Sequence, residues 1–302
     1  MSSSLPSPEP LDKGTVGLTG AEETLLITLY HRAKDAESPD PVLNDRYALE
    51  AVARIRALGY DFSRTDAGRA NSAVTVATRA RIIDICTERF LERHPGPLTV
   101  LHLACGMDSR CRRVDWQGEG RLWIDVDTED AVKMRRRVLQ SPSPRAGEYR
   151  LLDLNILSEG WLDRCDIPSG PPVLVVFEGL TMYLTEQQNL FLVSSIVNHF
   201  QKRHVPGQMV FDAVGSVLYF LVNTVFRKQL ELMGTRFSSY LDHPRSLEEK
   251  VPGLVYRTRV ARLADVGIRE GGAKGRLVRC ILWVLDIFNV AERFGGNYVF
   301  EF

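Results

Sequence analysis

From Leu98 onward the chain repeats one texture. Short, β-rich, nearly unbroken apolar runs ("LTVLHLA", "RLWIDV", "YRLLDL", "PVLVVF" and "QMVFDA") each stop at a small or acidic residue. Runs without polar alternation are the mark of strands buried on both faces, as in a parallel sheet. The intervening segments are long enough for helices, the clearest being "TEQQNLFLVSSIVNHFQKR". Strands alternating with helices predict βαβ units and a doubly wound α/β fold.

The hundred residues before this alternation read differently. "AEETLLITLYHRAKDA", "RYALEAVARIRAL" and "SAVTVATRARIIDICTERFLERH" carry apolar residues at helical spacing. The last of them stops at Pro95-Gly96-Pro97. The expected organisation is a disordered tail over 1–16 and one domain over 17–302. That domain comprises a helical cover over 17–97 and an α/β core over 98–302 with inserted lid helices. Beyond the fifth strand the pattern predicts an amphipathic helix from Val217 to Met233, a strand at "LVYRTRV", a helix through "LVRCILWVLDIFNVAERF" and a last strand "NYVFEF".

Composition narrows the function. Lys plus Arg and Asp plus Glu both number 38, so the net charge is zero and nothing recruits nucleic acid or an anionic membrane. The five cysteines, at 86, 105, 111, 165 and 280, are irregularly spaced and suggest neither a zinc site nor a disulfide framework. "MSSSLPSPEP" has no basic patch followed by an apolar core, and the run "SVLYFLVNTVF" is about half the length a bilayer needs. A soluble, cytoplasmic protein with no membrane partner is expected.

Ligands of open α/β sheets lie beyond the carboxyl ends of the strands. The first strand ends in Ala104-Cys105-Gly106-Met107-Asp108, small residues that let a ligand approach the backbone. The second ends in Asp125-Val126-Asp127, about 20 residues after Gly106, where a carboxylate would accept ribose hydroxyls. The third ends in Asp153-Leu154-Asn155 and the fourth in Phe177-Glu178-Gly179. Acids at successive strand ends suit a cationic, hydroxyl-rich ligand better than a pyrophosphate. G-x-G-x-x-G and the P-loop motif are both absent from the sequence. The competing explanation is that each Asp merely caps the following helix.

"TVATRARIIDICTERFL", "LHLACGMDSRCRRVDW", "WIDVDTEDAVKMR", "YRLLDLNILSEGWLD" and "FEGLTMYLTEQQ" resemble the successive motifs of the leucine carboxyl methyltransferase-like family. "ETLLITLYHRAKDAESPDPVLNDRYA" and "LELMGTRFSSYLDHP" resemble its flanking segments, and the polyketide-tailoring O-methyltransferases are the most similar group. The resemblance implies a Rossmann-like class I methyltransferase with a mainly parallel seven-stranded sheet and S-adenosyl-L-methionine as cofactor. It implies that Arg79 pairs with the methionine carboxylate, Gly106 passes beneath the cofactor and Asp108 holds the loop or the amino group. Asp125 and Asp127 would hold the ribose, with Val126 between them. Asp153 and Leu154 would face adenine, Glu178 and Gly179 would line the amino-acid end, and Tyr183 would close the site near the methyl group. The chain has Ala104 where relatives have Gly, and Asp125 where they have Glu.

The implied activity is O-methylation of a small natural-product carboxylate or hydroxyl, not of a protein's C-terminal leucine. Cyclase or pericyclase chemistry on the same fold, or cofactor binding without catalysis, are the alternatives. His31, His243, Tyr30 and Tyr47 are candidate substrate contacts, with His31 and Tyr183 the candidate catalytic side chains. Tyr219, Phe220 and Phe226 would roof a pocket. His102, inside a strand, reads as a hydrogen-bonded core residue. Arg110, Arg112 and Arg113 read as a solvated face or as partners of nearby acids.

Overall fold

A computed structural model describes residues 20–62, 72–225, 227, 236–260 and 291–302. The tail over 1–16, Phe226, Cys280 and most of the helices expected after residue 225 and across 277–294 lie outside them. Three helices open the described chain: α1 (Gly20–Ala36), α2 (Arg46–Ala57) and α3 (Ser72–Arg93). The α1–α2 turn is held by Asp35, whose carboxylate accepts the backbone N–H groups of Val42, Leu43 and Asn44 at 2.9–3.0 Å. Asp45 then caps α2 by accepting from Ala48 N at 3.1 Å.

The sheet follows: β1 (Leu98–Leu103), β2 (Arg121–Asp127), β3 (Glu148–Asp153), β4 (Val173–Phe177), β5 (Gly207–Val214), β6 (Val255–Val260) and β7 (Gly295–Glu301). Their order is β3-β2-β1-β4-β5-β7-β6, and the first five are parallel. β7 runs antiparallel to both β5 and β6. The mainly parallel seven-stranded sheet expected from the sequence is therefore present. β1, flanked by β2 and β4, is buried at all six positions, which is why its sequence shows no alternation.

Helices α4 (Arg110–Arg113), α5 (Glu129–Val138), α6 (Glu186–Lys202), α7 (Ser216–Val225) and α8 (Ser246–Lys250) complete the described elements. A reciprocal capping box starts α6, with Thr185 and Gln188 each bonding the other's backbone N–H. Leu192, Ile196 and Phe200 of α6 pack with Val175, Phe177, Phe211 and Phe300 in the largest core cluster. Phe177 stacks on Phe211 at 4.7 Å, and Phe211 on Phe300 at 5.5 Å. Cys86, Cys105, Cys111 and Cys165 are free and buried, and burial pushes the thiols of Cys86 and Cys165 up to about 11 and about 12. They act as small packing residues. Among the described residues no helix is long and apolar enough to cross a membrane.

Candidate active site

The turn after β1 passes through the left-handed region at Ala104 (φ 48°) and Gly106 (φ 45°). A Cβ on Gly106 would sit 2.7 Å from Leu25 Cδ2 of α1. Ala104 bears the cost of a Cβ in a conformation that favours glycine, about 1–2 kcal/mol. Ala104→Gly is accordingly expected to raise stability by about 1 kcal/mol, with no loss of ligand affinity. A lower melting temperature than wild type would contradict this.

Asp127 lies at the mouth of that turn. Its Oδ2 accepts Gly106 N at 2.6 Å and its Oδ1 accepts Thr128 N at 2.7 Å, and the residue keeps partial exposure. Burial pushes its carboxyl above the ordinary value. Asp153 is exposed at the end of β3, and the neighbouring Leu154 is buried, its N–H donated to Asp127 O at 2.9 Å. Val126 is buried and accepts Cys105 N through its carbonyl at 3.2 Å.

Asp125 departs from the ribose role expected of it. The residue has no exposure, and four donors occupy its two oxygens. His102 Nδ1 (3.0 Å) and Trp123 Nε1 (2.7 Å) meet Oδ1, and Arg135 Nη2 (2.7 Å) and Tyr149 OH (2.8 Å) meet Oδ2. Burial opposes its ionisation, yet Arg135 and His102 hold the carboxyl down at about 2. Asp125 therefore fastens β1, β3 and α5 together. Arg135 extends the clamp by donating to the carbonyls of Gly106 and Asp108 at 2.8 and 2.6 Å.

A second charged group stands at the ends of β4 and β5. Arg79 of α3 donates through Nε to Glu178 Oε1 (2.9 Å) and through Nη1 to Asp212 Oδ2 (3.1 Å). Gly179, at φ 68°, donates its N–H to Asp212 Oδ1 at 2.6 Å. Although burial opposes it, Arg79 and Arg110 hold the Glu178 carboxyl below its ordinary value. Burial pushes Asp212 the other way, upward. Tyr183 lies in the turn after β4, edge-on to Phe237 at 5.6 Å, and burial raises its hydroxyl's pKa. Asp212 escaped the sequence reading, although it comes near the end of the fifth apolar run much as Glu178 follows the fourth.

Asp108 is buried among arginines. Arg110 Nη1 and Arg113 Nη1 each lie 2.7 Å from it and Arg32 Nη1 lies 3.1 Å away. These pairs tie the turn after β1 to α1 and α4. Arg110 and Arg113 are interior partners of acids. Arg112 instead lies over the Tyr47 ring at 4.2 Å. His102 is the buried, hydrogen-bonded strand residue expected.

The substrate candidates divide. His31 is buried in α1, about 100–120° around the helix from Leu25 and Arg32, the residues of that helix that meet the glycine turn. Tyr30 is buried and stacked on Phe62 at 5.0 Å. Tyr219 and His243 line a cavity of about 480 Å³, together with Thr181, Asn189, Phe211, Ala213 and Tyr240. Phe211 and Ala213 alternate with Asp212 along β5, so the cavity lies on the α6 side of the sheet while the Asp212 side chain meets Arg79 on the α3 side. Thr181, which lines the cavity, donates through Oγ1 to the Asp212 carbonyl at 2.7 Å. Phe220 is 58% exposed, edge-on to Tyr219 at 5.3 Å.

An S-adenosyl-L-methionine-dependent methyltransferase of Gibberella zeae, dpfgK, is 55% identical over 97% of this chain and 98% of its own. The tetracenomycin polyketide synthesis O-methyltransferase TcmP of Streptomyces glaucescens is 40% identical over 80% of this chain and 83% of its own. The crystal structure of a DUF574-family protein of Streptomyces avermitilis shares the fold with a TM-score of 0.54 at 10% identity, covering 92% of this chain and 96% of its own. Residues 25–197, more than half of the chain, match the family model for leucine carboxyl methyltransferases. With a glycine turn after β1, acids at the following strand ends and these relatives, the chain belongs to the leucine carboxyl methyltransferase family.

Proposed function

We propose that this protein is an S-adenosyl-L-methionine-dependent O-methyltransferase whose acceptor is a small polyketide-type molecule carrying a carboxylate or an acidic hydroxyl. The observation that carries the reading is the convergence of Gly106, Asp127 and the Arg79–Glu178–Asp212 group at the carboxyl ends of β1, β2, β4 and β5. The donor set fits the cofactor. Arg79 is 27% exposed and would take the methionine carboxylate. Glu178, kept ionised, would face the ammonium group, with Gly179 beside it. Gly106 would pass beneath the cofactor, and Asp127, not Asp125, would accept the ribose hydroxyls. Asp153 and Leu154 would meet adenine, and Tyr183 would close the methyl end.

When bound, the cofactor supplies an electrophilic methyl group on a sulfonium. The protein's task is then to align acceptor and donor and to exclude water. Glu178 and Asp212 are both tied to Arg79, which makes them poor bases for an acceptor proton. An acceptor oxygen that arrives already ionised needs none. The cavity between β5 and α6, with Phe211, Tyr219 and Tyr240 among its lining residues and a few polar groups, has the character of a small-molecule pocket and meets the charged group's strand end through Thr181.

The test is methyl transfer from labelled cofactor to a panel of polyketide-type carboxylic acids and phenols, beside a peptide ending in leucine. Product from the small acceptors is expected, and Tyr219→Ala is expected to lower turnover at least about tenfold while leaving cofactor affinity unchanged. Faster methylation of the peptide than of every small acceptor, or undiminished turnover in the variant, would overturn the reading.

A further inference from the structure

Arg110 opens α4, and its side chain has no solvent exposure. Nε donates to Asp84 Oδ1 at 2.6 Å and Nη2 to Glu178 Oε2 at 2.7 Å. Nη1 faces Asp108 Oδ2 at 2.7 Å and His102 Nε2 at 3.4 Å. The three carboxylates come from three places: α3, the turn after β1, and the end of β4. Glu178 receives Arg79 on its other oxygen. Helix α3 thus reaches both oxygens of Glu178, one directly through Arg79 and the other through Asp84 and Arg110.

Stability is a poor account of this arrangement. Sealing a guanidinium away from water is costly, and apolar side chains of similar volume would often serve the fold as well. A guanidinium facing three carboxylates does what apolar packing does not: it keeps its partners ionised and fixes their planes.

We propose that Arg110 is a positioning residue for the cofactor: acting through Glu178, it holds that carboxylate ionised and aimed at the ammonium group of S-adenosylmethionine. The proposal rests on the role given to Glu178 above. Arg110 itself stays behind Glu178 and Asp108. The charges facing Glu178 are Arg79 of α3, Arg110 of α4, Arg32 of α1, Asp108 of the β1 turn and, through Arg79, Asp212 of β5. Without Arg110 the acids of that set gain weight against Arg79 and Arg32, and Glu178 takes up a proton at higher pH.

The experiment is titration calorimetry of the whole chain with S-adenosylmethionine between about pH 5 and pH 7, a range chosen to bracket a raised carboxyl while the cofactor's own α-amino group stays protonated. It compares wild type, Arg110→Met, Arg110→Lys, Glu178→Gln and the Arg110→Met/Glu178→Gln double variant. Wild-type affinity is expected to be flat with pH. Glu178→Gln is expected to bind about tenfold more weakly, also without pH dependence. Arg110→Met should bind about tenfold more weakly at the upper end and weaken several-fold more toward the lower end, with Arg110→Lys intermediate. In the double variant the Arg110 substitution should add nothing to the loss from Glu178→Gln. Additive losses, or a flat pH profile in Arg110→Met, would overturn the proposal. An unchanged affinity in Glu178→Gln would instead overturn the role of Glu178 itself. If circular dichroism shows Arg110→Met unfolded, Asp84→Asn removes the α3 anchor while leaving the guanidinium, and the same cycle with Glu178→Gln decides: coupled losses support the proposal and additive losses overturn it.

Discussion

Asp125→Ala is expected to cost at least about 3 kcal/mol of folding stability. The substitution leaves Arg135 buried without its carboxylate and takes the acceptor from Trp123 and Tyr149. It also takes the partner from His102 Nδ1. Urea denaturation measures the loss directly, and a change under about 1 kcal/mol would show that the four donors find other partners. The pH dependence has a defined sign. The Asp125 carboxyl is held down at about 2 in the folded protein, below the ordinary value of about 4 for the unfolded chain. Its contribution is therefore complete above that ordinary value and is lost as the pH falls through the folded one. The gap between wild type and variant should narrow between about pH 4 and pH 2.

Arg79→Met should weaken cofactor binding by at least about a hundredfold, from the loss of a charged partner and the repulsion it leaves behind. Arg79 separates two carboxylates, those of Glu178 and Asp212, at 2.9 and 3.1 Å. Once it is gone, one of the two must take a proton or turn away, and the surface meant for the amino-acid end of the ligand is remade. Partial exposure of Arg79 lets water screen some of this, so the fold is expected to survive while binding fails. Titration calorimetry and circular dichroism on the same sample separate the two effects. Binding within about threefold of wild type would remove Arg79 from the site.

β1, β2, β4 and β5 were legible because a parallel strand covered on both faces has no polar side, so each announced itself as a nearly continuous apolar run. Asp125 was not legible in the same way. It and Asp127 lie two apart, on one side of β2, and spacing alone cannot tell the inward acid from the one at the mouth. The difference lies in register: His102 of β1 stands beside Asp125, and Tyr149 of β3 stands beside Trp123, two positions earlier. Arg110 was ambiguous because its acidic partners Asp84 and Glu178 lie 26 and 68 residues away in sequence. His31 belongs to an amphipathic helix whose periodicity identified the helix but not which part of the buried side meets the turn after β1.

The ion pairs between the helical cover and the turn after β1 bear on how the chain folds. Helices α1 and α2 are neighbours in sequence and close on each other locally, so their hairpin is free to form early. Its charged residues are then exposed to water, because Asp45 awaits Ser109 and Arg113, 64 and 68 residues further on, and Arg32 awaits Met107 and Asp108. Dehydrating those groups before the turn exists would be uphill, with only the Arg32–Asp45 pair at 3.7 Å and the α2 cap in return. Docking of the cover, closure of the turn and completion of the central strands are thus one event, and an N-terminal fragment ending before β1 should remain a loose helical hairpin. Unfolding of the intact protein should accordingly register as one transition, whether followed by the tryptophans of the sheet or by the helical signal of the cover.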